Sequence, residues 1–206
     1  MTTTAQRLSA ALYDPFFWLS ERAGLAARRR ALVQQAGGRV LEIGAGTGLN
    51  LRHYPGDVEL VLTEPEAAMA DRLRDRVTEL GRPATIVLAG AEALPFADHE
   101  FDTVVSTLVL CTVPDQQAAL REIHRVLRPG GRLLFMEHVR SESPRWARWQ
   151  DRLNTPWRAF AEGCNCNRAT LDVLAGSPLG VGDVERSAMP AMIPLIRPLA
   201  TGSAVA

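Results

Sequence analysis

The residues best suited to chemistry fall first between positions 40 and 64. The run Val40-Leu41-Glu42-Ile43-Gly44-Ala45-Gly46-Thr47-Gly48 leaves an apolar stretch and enters a glycine-rich turn. Glycines there let the backbone bend tightly and approach a ligand without side-chain interference. Glu64 stands at the end of the next apolar stretch, where a carboxylate can accept two hydrogen bonds from a ribose diol. This fits a cofactor that contains adenosine. A dinucleotide would want glycine or alanine three residues past the second glycine, where pyrophosphate meets a helix start. That position is Leu49, and the third glycine comes early, at Gly48. Glu42, just ahead of the loop, would also repel a pyrophosphate. It suits a cofactor with a cationic methionyl group, such as S-adenosylmethionine. The plain alternatives are a strand-end charge at Glu42 and a helix N-terminal charge at Glu64. A carboxylate within an apolar strand, though, needs a partner to be tolerated.

Further along, Glu137-His138 closes another apolar stretch, at the strand end where open α/β sheets bind ligands. His138 could take a proton from a thiol or hydroxyl, with Glu137 as partner or alternative base, or it could only shape a pocket. His53, His99 and His124 read as surface residues. Cys111 sits in an apolar run and reads as a buried small residue. Cys164-Asn165-Cys166 has the wrong spacing and too few partners for zinc, so no metal site is expected. Trp146 and Trp149 share a helical face, for which core packing is the default and a substrate pocket the alternative. All 23 cations are Arg, and they balance 23 acidic residues. The absence of Lys excludes Schiff-base and phosphate-loop lysine chemistry. Zero net charge argues against nucleic acid as a partner. The Arg and Ala bias looks like codon usage in a GC-rich, bacterial genome.

The elements that position these residues alternate. Strands are expected at Arg39–Ile43, 58–63, 84–89, Phe101–Thr107 and 132–137. Helices are expected at 25–35, at 66–80 with Met69, Leu73, Val77 and Leu80 on one face, and at 115–127. Pro129-Gly130-Gly131 should stop the last of these. Such alternation implies a parallel sheet flanked by helices. The first 36 residues read as a helical lid broken at Pro15, with Phe16, Phe17, Trp18 and Leu19 packed on the domain and a membrane-touching patch as the alternative. Residues 141–175 read as a helical aromatic insertion, interrupted at Thr155-Pro156, with Asn167 capping a later helix. Residues 176–206 read as a closing hairpin, and 37–140 as the cofactor-binding core of a single domain.

Four ordered blocks, LEIGAGTG, TEP, AGAEALPFADHEFDTVV and LREIHRVLRPGGRLLF, resemble the motifs of class I S-adenosylmethionine-dependent methyltransferases, the type-11 group. STLVLCTV, FMEHV, the Trp-rich segment and EGCNCNRAT resemble the mammalian thiol S-methyltransferases of the methyltransferase-like seven branch. The resemblance implies a Rossmann-like fold, a mostly parallel seven-stranded sheet with helices on both faces and a C-terminal antiparallel hairpin. It implies that Gly44, Gly46 and Gly48 cradle the methionyl and ribose groups, with Ala45 and Asn50 in the same set. Glu64, with Pro65 beside it, would bind the ribose. Ala91 and Glu92 would flank adenine, because Gly90 stands where many type-11 enzymes have Asp. Thr107 and Leu108 would line the methionine end. A small-molecule acceptor follows, by preference a thiol. Rival readings are O- or C-methylation of a natural product or quinone, a nicotinamide-dependent oxidoreductase, or a silent adenosyl-binding module. Three cysteines and no apolar run of about 20 residues suggest a cytoplasmic protein without a membrane span.

Overall fold

The computed structural model describes residues 3–161 and 163–206, so Glu162 of the EGCNCNRAT segment lies outside it. Five parallel strands form first: β1 (Arg39–Ile43), β2 (Glu59–Thr63), β3 (Thr85–Val87), β4 (Phe101–Thr107) and β5 (Leu127–His138). An antiparallel pair, β6 (Gly180–Ala188) and β7 (Pro198–Val205), completes the sheet. Its order is β3-β2-β1-β4-β5-β7-β6, so seven strands and the closing hairpin stand as expected. The crossovers reverse direction between β1 and β4, and there the carboxyl ends of neighbouring strands open a crevice.

The strands read as continuous apolar runs because both sheet faces are covered. Leu41, Ile43, Val104, Leu133 and Phe135 pack on one face with Leu120 and Ile123 of α4 (Gln116–Val126) and Leu174 of α6 (Thr170–Ala175). Val40, Leu60, Leu62, Val105, Leu134 and Met136 pack on the other with Leu32 and Val33 of α2 (Ala26–Val33) and Leu73 of α3 (Ala67–Leu80). Asp115 caps α4 through its side chain, and Gly81, left-handed, ends α3.

Several local expectations are corrected. Pro15 does not break the first helix: α1 (Thr4–Ser20) runs through it. The discontinuity falls at the wider turn Glu21–Leu25, where Gly24 takes φ 128°. A proline inside a helix costs about 3 kcal/mol. Here Ala10 and Tyr13 pack α1 against Ala68 and Met69 of α3 on the far side of that proline from Phe17, which packs on the sheet-side core. Pro156 likewise sits inside an unbroken α5 (Pro144–Phe160). Asn167 caps nothing; its amide donates to Asp151, and α6 starts after Ala169 without a side-chain cap. The fifth strand begins earlier than 132: α4 ends at Val126 ahead of Pro129–Gly131, β5 already pairs Leu127 with Phe101, and the ladder resumes at Arg132 opposite Thr103, leaving 128–131 as a bulge. Trp146 and Trp149 are 40% and 44% exposed rather than in the core, and Phe16, Trp18 and Leu19 also face outward.

Candidate active site

Three glycines shape the turn after β1, and each adopts positive φ. A Cβ on Gly44 would meet Val109 Cγ2 at 2.7 Å, and one on Gly48 would meet Leu51 and Leu73 at 2.8 Å. A Cβ on Gly46 would meet nothing within 4 Å. That glycine therefore serves its backbone angle and the space in front of it. Its N–H donates to Glu64 Oε2 at 2.8 Å, tying the ends of β1 and β2 together. Glu64 also accepts from the Glu66 N–H at 3.0 Å.

Glu42 has the partners its burial demands. Its carboxylate accepts from Asn50 Nδ2 and from the Tyr54 hydroxyl, each at 2.8 Å. Burial pushes its pKa up to about 7, against those two hydrogen bonds and the nearby Arg29. Arg29 is itself buried and donates to Thr107 Oγ1 at 3.1 Å and Asn50 Oδ1 at 3.3 Å, while pairing with Glu21 at 2.8 Å. Glu42, Gly44, Ala45, Gly46, Asn50 and Thr107 thus line one cleft, together with Tyr13, Arg29, Thr47 and Leu49. The void left among them is about 10 Å³, against the several hundred Å³ of an ordinary ligand pocket. Tyr13 brings α1 over this cleft. Asp14 holds that helix down, accepting from Thr47 Oγ1 and Arg76.

The remaining expected residues lie around this cleft rather than in its lining. Ala91 is buried in the core beside Val61 and Val87. Glu92 accepts from the Asp115 N–H at 3.4 Å, over the following helix start. Pro65 is exposed. Leu108 has φ 61°, a strained angle for a side chain of its size, and its N–H donates to Met136 O at 2.8 Å.

That turn at Leu108 aims the next backbone N–H groups at Glu137. The carboxylate accepts from Ser106 Oγ at 2.7 Å, Val109 N at 3.1 Å and Cys111 N at 3.4 Å. It is fully buried, and burial raises its pKa to about 7 against these donors. His138, beside it, is 2% exposed. Its Nδ1 lies 3.7 Å from Cys164 Sγ, which lies 3.7 Å from Cys111 Sγ. The contact with Cys111, followed by that with His138, lowers the Cys164 thiol below the usual thiol range, while the same pairing and burial raise Cys111. Cys166 points elsewhere, toward Gln150 O at 3.4 Å. Asn165 N–H donates to Cys111 O at 2.9 Å and Arg168 to Leu110 O at 2.9 Å, so the segment after α5 is fastened to the loop after β4. A separate cavity of about 410 Å³ lies past the end of β5, lined by Trp146, Arg186 and Arg197 among others.

Sequence reasoning missed Tyr13, Asp14 and Arg29, which reach the cleft from the N-terminal helices. It also missed the meeting of Cys111 with Cys164, 53 residues apart. The burial of Arg29 inside an arginine-rich helix leaves no local trace, because its neighbours Arg28 and Arg30 are the same residue type.

The residues present fit an adenosyl cofactor: an open cradle at Gly46, a carboxylate at the end of β2, and a buried polar set of Glu42, Asn50, Thr107 and Arg29 beside them. Comparison with known proteins agrees. Residues 41–135 match the methyltransferase domain family. The human thiol S-methyltransferase TMT1A is 36% identical over 81% of this chain and 70% of its own length. The human thiol S-methyltransferase TMT1B is 34% identical over 82% of this chain and 72% of its own. A solved Thermotoga maritima structure, described as an S-adenosylmethionine-dependent methyltransferase and possible histamine N-methyltransferase, superposes with a TM-score of 0.69. It covers 97% of this chain and 96% of that one at 22% identity, a likeness of fold. With that fold, that glycine cradle and those relatives, the chain belongs to the class I S-adenosylmethionine-dependent methyltransferases.

Proposed function

We propose that the enzyme methylates a small thiol. One observation carries this reading: the likeness to the human thiol S-methyltransferases spans 81% of the chain, well beyond the family core that ends at residue 135. The cofactor supplies a methyl group on a sulfonium, with a neutral leaving group, so alignment is most of what the protein must add. A thiol needs little help toward its nucleophilic form, having a pKa near ~8.5.

In this reading Gly44, Gly46 and Gly48 pass beneath the methionyl and ribose groups, with Ala45 between them. Glu64 takes the ribose hydroxyls and Pro65 supports it. Ala91 and Glu92 flank adenine. Glu42, Asn50, Thr107 and Arg29 hold the methionyl end, with Leu108 at its wall. His138 stands on the acceptor side. Glu137, with its oxygens occupied by the 106–111 turn, is a positioning residue for that turn. Residues 1–36 form the lid, 37–140 the cofactor core, 141–175 the roof and 176–206 the closing hairpin. A cytoplasmic, bacterial setting is part of the same proposal, supported by three free cysteines and the arginine-only cation set. Among the described residues no helix is long and apolar enough to cross a membrane.

Methyl transfer from labelled S-adenosylmethionine to a panel of alkyl thiols, phenols and quinols tests the reading. Turnover is expected with thiols first. Faster methylation of a phenol or quinol would replace it with the O- or C-methylation reading. Calorimetry should show binding of S-adenosylhomocysteine and none of NAD.

A further inference from the structure

We propose that Cys111, His138 and Cys164 form a zinc site whose open fourth position takes the acceptor's sulfur. The second half of this statement rests on the thiol reading above. One ligand atom from each residue lies within 4.8 Å of the others. The two sulfurs are 3.7 Å apart, and Cys164 Sγ is 3.7 Å from His138 Nδ1. Tetrahedral zinc, with Zn–S near ~2.3 Å and Zn–N near ~2.0–2.1 Å, needs S···S edges of about 3.8 Å and S···N edges of about 3.6 Å. Two of the three edges therefore already stand at the spacing of coordination, and the third closes within 4.8 Å.

Ordinary packing does not account for the histidine. His138 is 2% exposed, and its Nε2 has no hydrogen-bond partner among the described residues. Its Nδ1 has only the sulfur at 3.7 Å. Buried imidazoles are otherwise hydrogen-bonded, and a metal bond at Nδ1 would replace the long sulfur contact there with a short, strong one. The three ligands come from the loop after β4, the end of β5 and the segment after α5. The Asn165 and Arg168 bonds to the loop hold that segment in place. Two thiolates and one imidazole suit a borderline-soft d10 ion, and three protein ligands rather than four leave one position open. The loop that carries Cys111 also borders the cofactor cleft. Thr107 lines the cofactor cleft four residues before Cys111, and Val109 between them packs on Gly44. When an acceptor thiol replaces water on the ion, its S–H bond breaks, the proton passes to solvent and the sulfur stays bound as thiolate.

The test uses the full chain, reduced, stripped with chelator and titrated with Co²⁺ and then Zn²⁺. One equivalent of cobalt should give tetrahedral d–d absorption with thiolate-to-cobalt charge transfer, and zinc should displace it. Cys111→Ser and Cys164→Ser should each lose charge-transfer intensity and weaken zinc binding tenfold or more. Cys166→Ser, outside the cluster, should behave as wild type. S-adenosylhomocysteine binding by each variant reports that it is folded, and either cysteine variant alone decides the question. A six-coordinate aquo-cobalt spectrum at stoichiometric metal, or zinc affinity indifferent to these substitutions, overturns the site. Adding a small alkyl thiol should shift the cobalt bands, and an unshifted spectrum overturns the open position. Full-rate thiol methylation by the metal-free protein removes the ion's role and keeps the thiol reading. Cobalt bands in a protein that methylates no thiol keep the site and remove that reading.

Discussion

Glu42 is enclosed by protein and still carries a carboxyl group, held by Asn50 and Tyr54. Its pKa is raised by burial to about 7. The folded state therefore holds a proton that the unfolded chain releases near pH ~4.3. Between those two values the folded form binds more protons, so this group's contribution to stability falls as pH rises and levels off above about 7. Glu42→Gln removes the dependence. Urea midpoints at pH 5 and pH 8 should show the variant gaining on wild type by up to about 2–3 kcal/mol. Parallel profiles would mean that Glu42 titrates as an ordinary carboxyl. Glu64 makes the complementary case. Glu64→Ala should weaken S-adenosylhomocysteine binding by about 1–3 kcal/mol, the cost of unpaired donors, and an unchanged dissociation constant would remove it from the ribose site. Both carboxylates were legible because each violates its apolar surroundings in the sequence. Arg29 and Tyr13 were not, because what marks them is the cleft they enter.

At the scale of elements, α1 decides access. Tyr13 lines a cleft of about 10 Å³, too small for an adenosyl ligand, so α1 is expected to swing before one enters. Gly24, at φ 128°, gives the chain a hinge between α1 and α2. The latch is Asp14, paired with Arg76 and Thr47 at side-chain exposures of 26% and 18% for the ionic partners. Partial exposure limits that pair to about 1 kcal/mol. Asp14→Ala should therefore raise the open population, and with it the association rate of S-adenosylhomocysteine, by about fivefold. Stopped-flow tryptophan fluorescence measures it, and an unchanged rate would mean that ligand enters without moving α1. The sequence announced a helical lid but misplaced its joint. Proline is the stronger local breaker, yet packing on both sides of Pro15 outweighed it, and a glycine nine residues later supplied the turn. The same competition kept α5 continuous through Pro156.

Across the whole molecule, the work is divided along the sheet. The candidate cofactor cleft lies where β1 and β4 part, whereas β7 and β6 extend the opposite edge. Repeating apolar strands and helix signals made the parallel half readable. The hairpin was readable only as a tail of two weak stretches, since β6 is largely exposed and carries little apolar pattern. What seats it is backbone contact at Gly202. A Cβ there would meet Asp183 O at 2.7 Å and the Phe135 ring at 2.9 Å. The carbonyl belongs to the β6 backbone and the ring to the core under β5, so neither yields without shifting a strand. Gly202→Ala should thus act as overpacking, costing about 1–3 kcal/mol, which for a chain of this size lowers Tm by about 2–12 °C. The glycine loop and Glu64 stand on β1 and β2, and the ladder between them and β7 runs through β4 and β5. S-adenosylhomocysteine affinity below the transition should therefore match wild type. A melting scan paired with calorimetry checks both parts. An unshifted Tm would show that the hairpin accommodates the methyl group by sliding on β5, and a lost affinity in the folded variant would show that the two halves of the sheet are coupled.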